Sequence, residues 1–331
     1  MKIRKFISLM KKLILSFLFL FCSFFIHRDK TIIAFGSWCG RLFTDNTKYL
    51  LLECLSYLGD NYKFYWVGKK SVYQQLPKDN RIVFLDQDRF SSSFKLLKPK
   101  YFFCSQMKEA DFVPYNVYHR AIVCYLHHGI PLKRWGSDGQ VKTNHLPIIQ
   151  RCIAKVIGFP QPYSYYCSSS EDNTENFLKA LAFLYCERKQ ILCIGTPRND
   201  FLIKNIYNVK LKKSIKQKYA NKYNFECDRA IFLYLPTYRR KTKMQFLCYR
   251  ENAIERNKLE LFFEDNHIEL LEKQHYACIE RIPQNIPLTK DSHLLFPDDC
   301  TIDVQELLLI ADVLISDYSG AVLDYDLLDR P

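Results

Sequence analysis

The chain runs to 331 residues and is 48% hydrophobic, enough for about two domains with real cores and too apolar for a disordered chain. Its 13 cysteines are scattered with no Cys-x-x-Cys pair, which argues against a disulfide framework or a zinc site and suits reduced cysteines used as small apolar residues. The net charge of +13, without any recognition-helix, RNP or zinc-finger pattern, points to phosphate-rich ligands or an anionic membrane surface rather than nucleic acid.

Residues 1–30 carry +6 of that charge and the remaining residues +7. Lys2, Arg4, Lys5, Lys11 and Lys12 precede fourteen uncharged, largely apolar residues, Leu13 to Ile26, and Arg28 and Lys30 follow. A helix of that run is about 21 Å long, short of the ~30 Å needed to span hydrocarbon. Basic flanks on both sides favour a segment attached to the cytoplasmic face of a membrane. A cleaved signal ranks second, because no small-x-small site follows, and a buried core helix third.

From residue 31 strand and helix patterns alternate. Thr31–Phe35, Phe64–Val67, Ile82–Leu85, Tyr101–Cys104, Ala121–Leu126, Tyr165–Cys167 and Ile191–Ile194 read as buried strands. Thr47–Leu58, with a cap at Asp45 or Asn46, and a stretch near 174–186 read as helices. A Lys-rich stretch from Lys204 to Lys222 separates this series from a second one. The second has strands at Ala230–Leu235, Tyr276–Ile279 and Val313–Ser316, and helices at Val304–Ala311 and Ala321–Leu328. Such alternation implies parallel sheets with right-handed crossovers. The expected organisation is an α/β protein: an attachment segment 1–30, a Rossmann-like domain 31–203, a basic inter-domain region 204–228 and a second Rossmann-like domain 229–331.

Ligands in open α/β sheets bind beyond the carboxyl ends of the strands, and four polar clusters fall there. The first is His127-His128-Gly129-Ile130-Pro131-Leu132-Lys133. A histidine here can take the proton of an attacking alcohol near neutral pH, Gly129 permits a turn and close approach, and Lys133 can offset phosphate charge. A plain turn with surface histidines fits the position equally well. The second is Pro236-Thr237-Tyr238-Arg239-Arg240, where an arginine can hold a diphosphate through paired N–H donors or simply line a basic loop. The third is Ser316-Asp317-Tyr318-Ser319-Gly320 before a helix, an anion site, a cap, or both. The fourth is Gly195 to Asp200, where Arg198 either pairs with Asp200 or faces a ligand. Absence of Gly-x-Gly-x-x-Gly, of a Walker A lysine motif and of Asp-x-Asp argues against a dinucleotide oxidoreductase, a P-loop NTPase and a metal–diphosphate bridge. Neighbouring residues of an extended chain are expected to point to different sides, so no metal site built on His127 and His128 is expected.

Six stretches taken in order resemble the CDP-glycerol glycerophosphotransferase family, whose members prime or polymerise teichoic acids and related phosphodiester-linked surface or capsular polymers. They are Phe35-Gly36-Ser37-Trp38 with Asp45-Asn46 and Tyr49-Leu50; His128 to Lys133; Ser168 to Glu171; Gly195-x-Pro197-Arg198-Asn199-Asp200; Leu233-Tyr234-x-Pro236-Thr237-Tyr238-Arg239; and Asp312 to Ser319. The resemblance implies two Rossmann-like domains facing a cleft, the glycosyltransferase-B architecture, with the acceptor on the first and the nucleotide on the second. It implies His128 as the base and Arg239, Ser319 and Asp317 as donor phosphate ligands. Gly129, Lys133, Arg198, Asp200, Thr237 and Gly320 are further candidates in the cleft. The implied reaction is attack of a hydroxyl on the β-phosphorus of CDP-glycerol or a related CDP-alcohol, releasing CMP. The acceptor would be lipid-linked or polysaccharide at the membrane, with no cofactor.

Three departures accompany the resemblance. The family carries a His-Pro pair after the strand expected at Tyr276–Ile279, where this chain has Glu280-Arg281-Ile282-Pro283, so Arg281 is a candidate replacement. Gly320 stands where a second serine is usual. Family members continue beyond the position of Pro331, so the second domain is expected to be incomplete. Competing expectations are a nucleotide-sugar transferase of the same architecture and an inactive membrane-bound scaffold.

Overall fold

The computed structural model describes residues 2–132, 163–181, 186–237, 253–275, 290–295, 299, 301–317 and 319–331. It divides into two compact units, Met1–Arg198 and Asn199–Pro331.

The first unit opens with helix α1 (Lys2–Phe25). It continues through β1 (Asp29–Gly36), α2 (Asp45–Tyr57), β2 (Lys63–Gly68), β3 (Ile82–Asp86), α3 (Phe90–Lys95), β4 (Pro99–Cys104), α4 (Lys108–Asp111), β5 (Ile122–Tyr125), β6 (Tyr165–Ser168), α5 (Glu171–Ala180) and β7 (Ile191–Cys193). Among the described residues the strands form one parallel sheet of order β3-β2-β1-β4-β5-β6-β7. This is a doubly wound sheet whose order reverses between β1 and β4, the place where such folds bind ligands. The strands are continuous apolar runs because both faces are covered. Ile32 and Ala34 join one core cluster with Phe102, Val123 and Tyr166, while Ile33 and Phe35 join another with Leu51, Phe64 and Trp66.

Helix α1 is docked on this unit rather than standing apart from it. Phe19 is fully buried; its ring stacks with Tyr115, meets Phe94 edge-on and packs tilted against Phe90. Just past the helix, the buried Arg28 guanidinium donates to the carbonyls of Leu96, Pro99, Val117 and His119. The opposite side stays exposed: Ile7, Ile14, Phe17, Phe21, Phe24 and Phe25 recur at helical spacing. Among the described residues no helix is long and apolar enough to cross a membrane.

Helix α6 (Pro197–Asn205) begins at the division. The second unit continues with α7 (Val209–Tyr223), β8 (Ala230–Leu235), α8 (Ala253–Asp265), β9 (Ile268–Lys273), β10 (Ser292–Leu295), α9 (Val304–Ile310), β11 (Val313–Ser316) and α10 (Ala321–Tyr325). Its described strands form a parallel sheet of order β10-β9-β8-β11, reversing between β8 and β11.

One expectation differs from this structure, and another falls where it describes no residues. The 204–228 stretch is not a separate inter-domain region: Ile215, Tyr219 and Ala220 of α7 are buried in the second unit's core with Leu202, Leu233 and Leu308, and only the lysine face is solvated. The strand expected at Tyr276–Ile279 lies outside the described residues, whereas β9 falls earlier, at Ile268–Lys273. Two glutamates interrupt its apolar run and disguise it. Both are buried and partnered: Glu269 by Arg229 and His293, Glu272 by Gln274.

Candidate active site

In the first unit, the loops after β1, β4 and β5 converge at the point where strand order reverses. His128 follows β5. Its Nδ1 lies 3.3 Å from the carbonyl oxygen of Ser105, which follows β4. A carbonyl can only accept, so Nδ1 carries the proton and Nε2 holds the free lone pair. The Trp38 ring, after β1, meets the imidazole edge-to-face at 5.7 Å, and the His127 ring stacks on it at 4.5 Å. Burial holds the His128 imidazole below its ordinary pKa against the opposing pull of Asp45. Burial, and then the neighbouring His128, hold His127 well below it. His128 is therefore neutral at pH 7, the form a general base needs.

The backbone around this histidine is held in place by a buried polar network. Arg198 Nη1 pairs with Asp45 Oδ1 at 3.0 Å and donates to the His128 carbonyl at 2.8 Å. Asp45 also accepts the Trp38 indole N–H at 2.9 Å. Asn46 donates to the carbonyls of Leu126 and His127 and accepts the Arg198 backbone N–H. Trp38, Cys39, Asp45 and His127 all have positive φ. Left-handed backbone at non-glycine residues persists only where surrounding bonds over-determine it, and such residues cluster at functional sites. Gly129, at φ +141°, is required: a Cβ there would lie 2.9 Å from Arg198 Nη2.

Two uses of Arg198, a pair with Asp200 or a place facing a ligand, are open from sequence. Its partner is Asp45, and Asp200 is exposed. The structure thus makes Arg198 a support of the His128 loop. Lys133, Arg239 and Arg281 lie outside the described residues.

In the second unit, the loops after β8 and β11 are tied together where that sheet reverses. The Thr237 backbone N–H donates to Asp317 Oδ1 at 2.7 Å, and Ser316 Oγ to the Leu235 carbonyl at 2.5 Å. Ser319 Oγ accepts the Ala321 N–H at the start of α10, the capping role weighed from sequence, with Gly320 at the cap position. The register of β9 adds a residue the sequence reading missed. With the strand ending at Lys273, the residues just past it are Gln274 and His275. The signal was there in the sequence, two residues beyond a strand hidden by its glutamates. No group of three or more His, Cys, Asp or Glu side chains placed to hold a metal ion occurs among the described residues.

The sequence pattern of a family described as CDP-glycerol:poly(glycerophosphate) glycerophosphotransferase matches residues 18–331. A teichoic acid glycerol-phosphate transferase of Staphylococcus aureus (strain NCTC 8325 / PS 47) is 27% identical over 309 residues, covering 92% of this chain and 73% of the relative. A teichoic acid poly(glycerol phosphate) polymerase of Bacillus spizizenii is 27% identical over 322 residues, covering 92% and 74%. The solved structure of the wall teichoic acid polymerase TagF aligns with TM-score 0.68 at 21% identity, covering 92% of this chain and 70% of that one. The last is a likeness of fold, and the α/β class read from the sequence is the class found.

Proposed function

The chain belongs to the CDP-glycerol:poly(glycerophosphate) glycerophosphotransferase family, and from that premise we propose that it transfers a glycerol-phosphate unit from CDP-glycerol to a hydroxyl of a membrane-associated acceptor. The acceptor oxygen attacks the donor's β-phosphorus, the bond from that phosphorus to the bridging oxygen breaks, CMP leaves, and the acceptor proton passes to His128 Nε2. The observation that carries this reading is the Ser105 carbonyl on His128 Nδ1. With the proton on Nδ1, Nε2 keeps its lone pair, the requirement for general-base catalysis. The reaction is otherwise one of positioning and charge stabilisation. Thr237, Asp317, Ser319 and His275, all at carboxyl ends of second-unit strands, are assigned to the donor phosphates together with Arg239 and Arg281. Lys133 is assigned to offsetting phosphate charge beside His128. The reading takes no cofactor besides the donor.

The exposed face of α1 supports attachment to the cytoplasmic leaflet. Ile14 and Phe21 are 63% exposed and Phe25 76%, a stripe suited to burial about 5–10 Å into the headgroup boundary, and residues 2–28 include no acidic residue.

The test incubates the purified chain with radiolabelled CDP-glycerol and a membrane extract and follows CMP release and label in lipid-linked material. We expect both products, a loss of at least ~10²-fold in His128→Ala, and loss of sedimentation with anionic vesicles in Phe17→Glu/Phe21→Glu. A folded chain inert toward CDP-glycerol but active with CDP-ribitol would replace the donor. Inertness toward every CDP-alcohol would overturn the reading.

A further inference from the structure

Asp111 lies in the same region, yet none of the sequence motifs includes it. It ends the short helix α4, is fully buried, and forms no ion pair among those described. Its carboxylate accepts three backbone N–H groups: Cys39 at 2.8 Å through one oxygen, Ser105 at 3.0 Å and Gln106 at 2.7 Å through the other. These donors belong to two different loops. Cys39 adjoins Trp38, whose ring packs on His128, and Ser105 is the residue whose carbonyl receives His128 Nδ1. The fit is tight, since a Cβ at Gly36 would lie 2.7 Å from the Asp111 carbonyl oxygen. A buried carboxylate held only by main-chain donors carries a desolvation cost that an amide or a hydroxyl would largely avoid. Burial indeed pushes its pKa up to about 7, against the pull of those three N–H groups.

We propose that Asp111 is a positioning residue for the base: by clamping the Cys39 and Ser105–Gln106 main chains it aims the Ser105 carbonyl at His128 Nδ1, and so selects the tautomer whose Nε2 can accept a proton. The inference rests on the reading of His128 as the base, but its physical content is a statement about the imidazole and can be tested without turnover. An asparagine at 111 keeps the shape, yet turns an NH2 group toward one of the two donor sets. The peptide that carries the Ser105 carbonyl then loses its anchor, while no group assigned to the donor is touched.

The experiment records ring 15N shifts of His128 in 15N-histidine-labelled protein at pH 7.5, the signal assigned by its loss in His128→Asn. Wild type is expected to show a protonated Nδ1 and an unprotonated Nε2. Asp111→Asn is expected to shift toward a mixture of tautomers. Its kcat should fall ~10-fold or more with KM for CDP-glycerol within about twofold, as for an interaction made only at the transition state. Asp111→Glu, which retains two acceptor oxygens, is expected to recover part of the kcat. An Nε2-protonated ring in wild type would overturn the proposal even if no variant folds. So would a folded Asp111→Asn with an unchanged tautomer, or one in which KM rises and kcat stays. If the protein proves inert while the tautomers behave as stated, the assigned reaction fails and the positioning role stands.

Discussion

Replacing Asp45 by asparagine tests whether the network under His128 is a unit. The carboxylate is 4% exposed and meets Arg198, itself 7% exposed, at 3.0 Å. Asparagine still offers an oxygen to the Trp38 indole but removes the charge that faces the buried guanidinium. Removing one partner of a buried pair costs about 3–5 kcal/mol, most of it the desolvation of the group left behind. For a unit of this size, at roughly 2–4 °C per kcal/mol, Tm should fall by about 6–20 °C. Arg198→Met should cost a similar amount, since it strands the carboxylate and removes the donor to the His128 carbonyl. Removing both charges together should then cost less than the sum, with a coupling energy of at least about 2 kcal/mol between the two positions. Differential scanning calorimetry and urea titration of wild type, both singles and the double variant give the cycle. Additive losses, or an Asp45→Asn cost below about 1 kcal/mol, would refute the claim that this ion pair holds the loop.

Gly129→Ala should lower stability by about 1–3 kcal/mol and activity more than stability, because φ +141° is foreign to alanine and its methyl would press on Arg198; urea midpoints and single-turnover rates check it. Arg28→Gln should cost at least about 3 kcal/mol by leaving buried carbonyls of Leu96, Pro99 and Val117 short of donors, and limited proteolysis should then clip α1 first. For His127 the folded imidazole is held well below its usual pKa. Below about pH 6.5 the unfolded chain therefore binds a proton that the folded chain does not, and stability is lost as pH falls. The stability of wild type relative to His127→Gln should decline by up to about 1.4 kcal/mol per pH unit below that point, and a flat difference between pH 7.5 and 5.5 would contradict it. Asp317→Asn should raise KM for the donor more than it lowers kcat, because it loosens the tie to Thr237 across the second sheet.

Much of the first unit could be read from local pattern, since its parallel strands are buried on both faces and appear as unbroken apolar runs such as Ile32 to Phe35 and Phe64 to Val67. Because loops follow strand ends, the same runs placed the candidates His128, Gly129, Thr237, Asp317 and Ser319 just past strands, where the structure also has them. Where burial was achieved with charge instead, the pattern failed. Glu269 and Glu272 lie inside β9 because Arg229, His293 and Gln274 satisfy them, and those partners are set by the fold. That strand ends just before Gln274 and His275, a histidine the sequence reading passed over.

What the sequence alone determined is the alternation of elements, the α/β class, the family resemblance and the order of polar loops, because each is encoded within a few residues by periodicity, turn chemistry or motif spacing. Only the tertiary structure decided what those loops do to one another. That Arg198 meets Asp45 across 153 positions, that Ser105 receives His128, and that Asp111 grips two loops at once are long-range pairings with no local signature. They follow from strand order, which brings β1, β4 and β5 side by side in space and their carboxyl ends to one place.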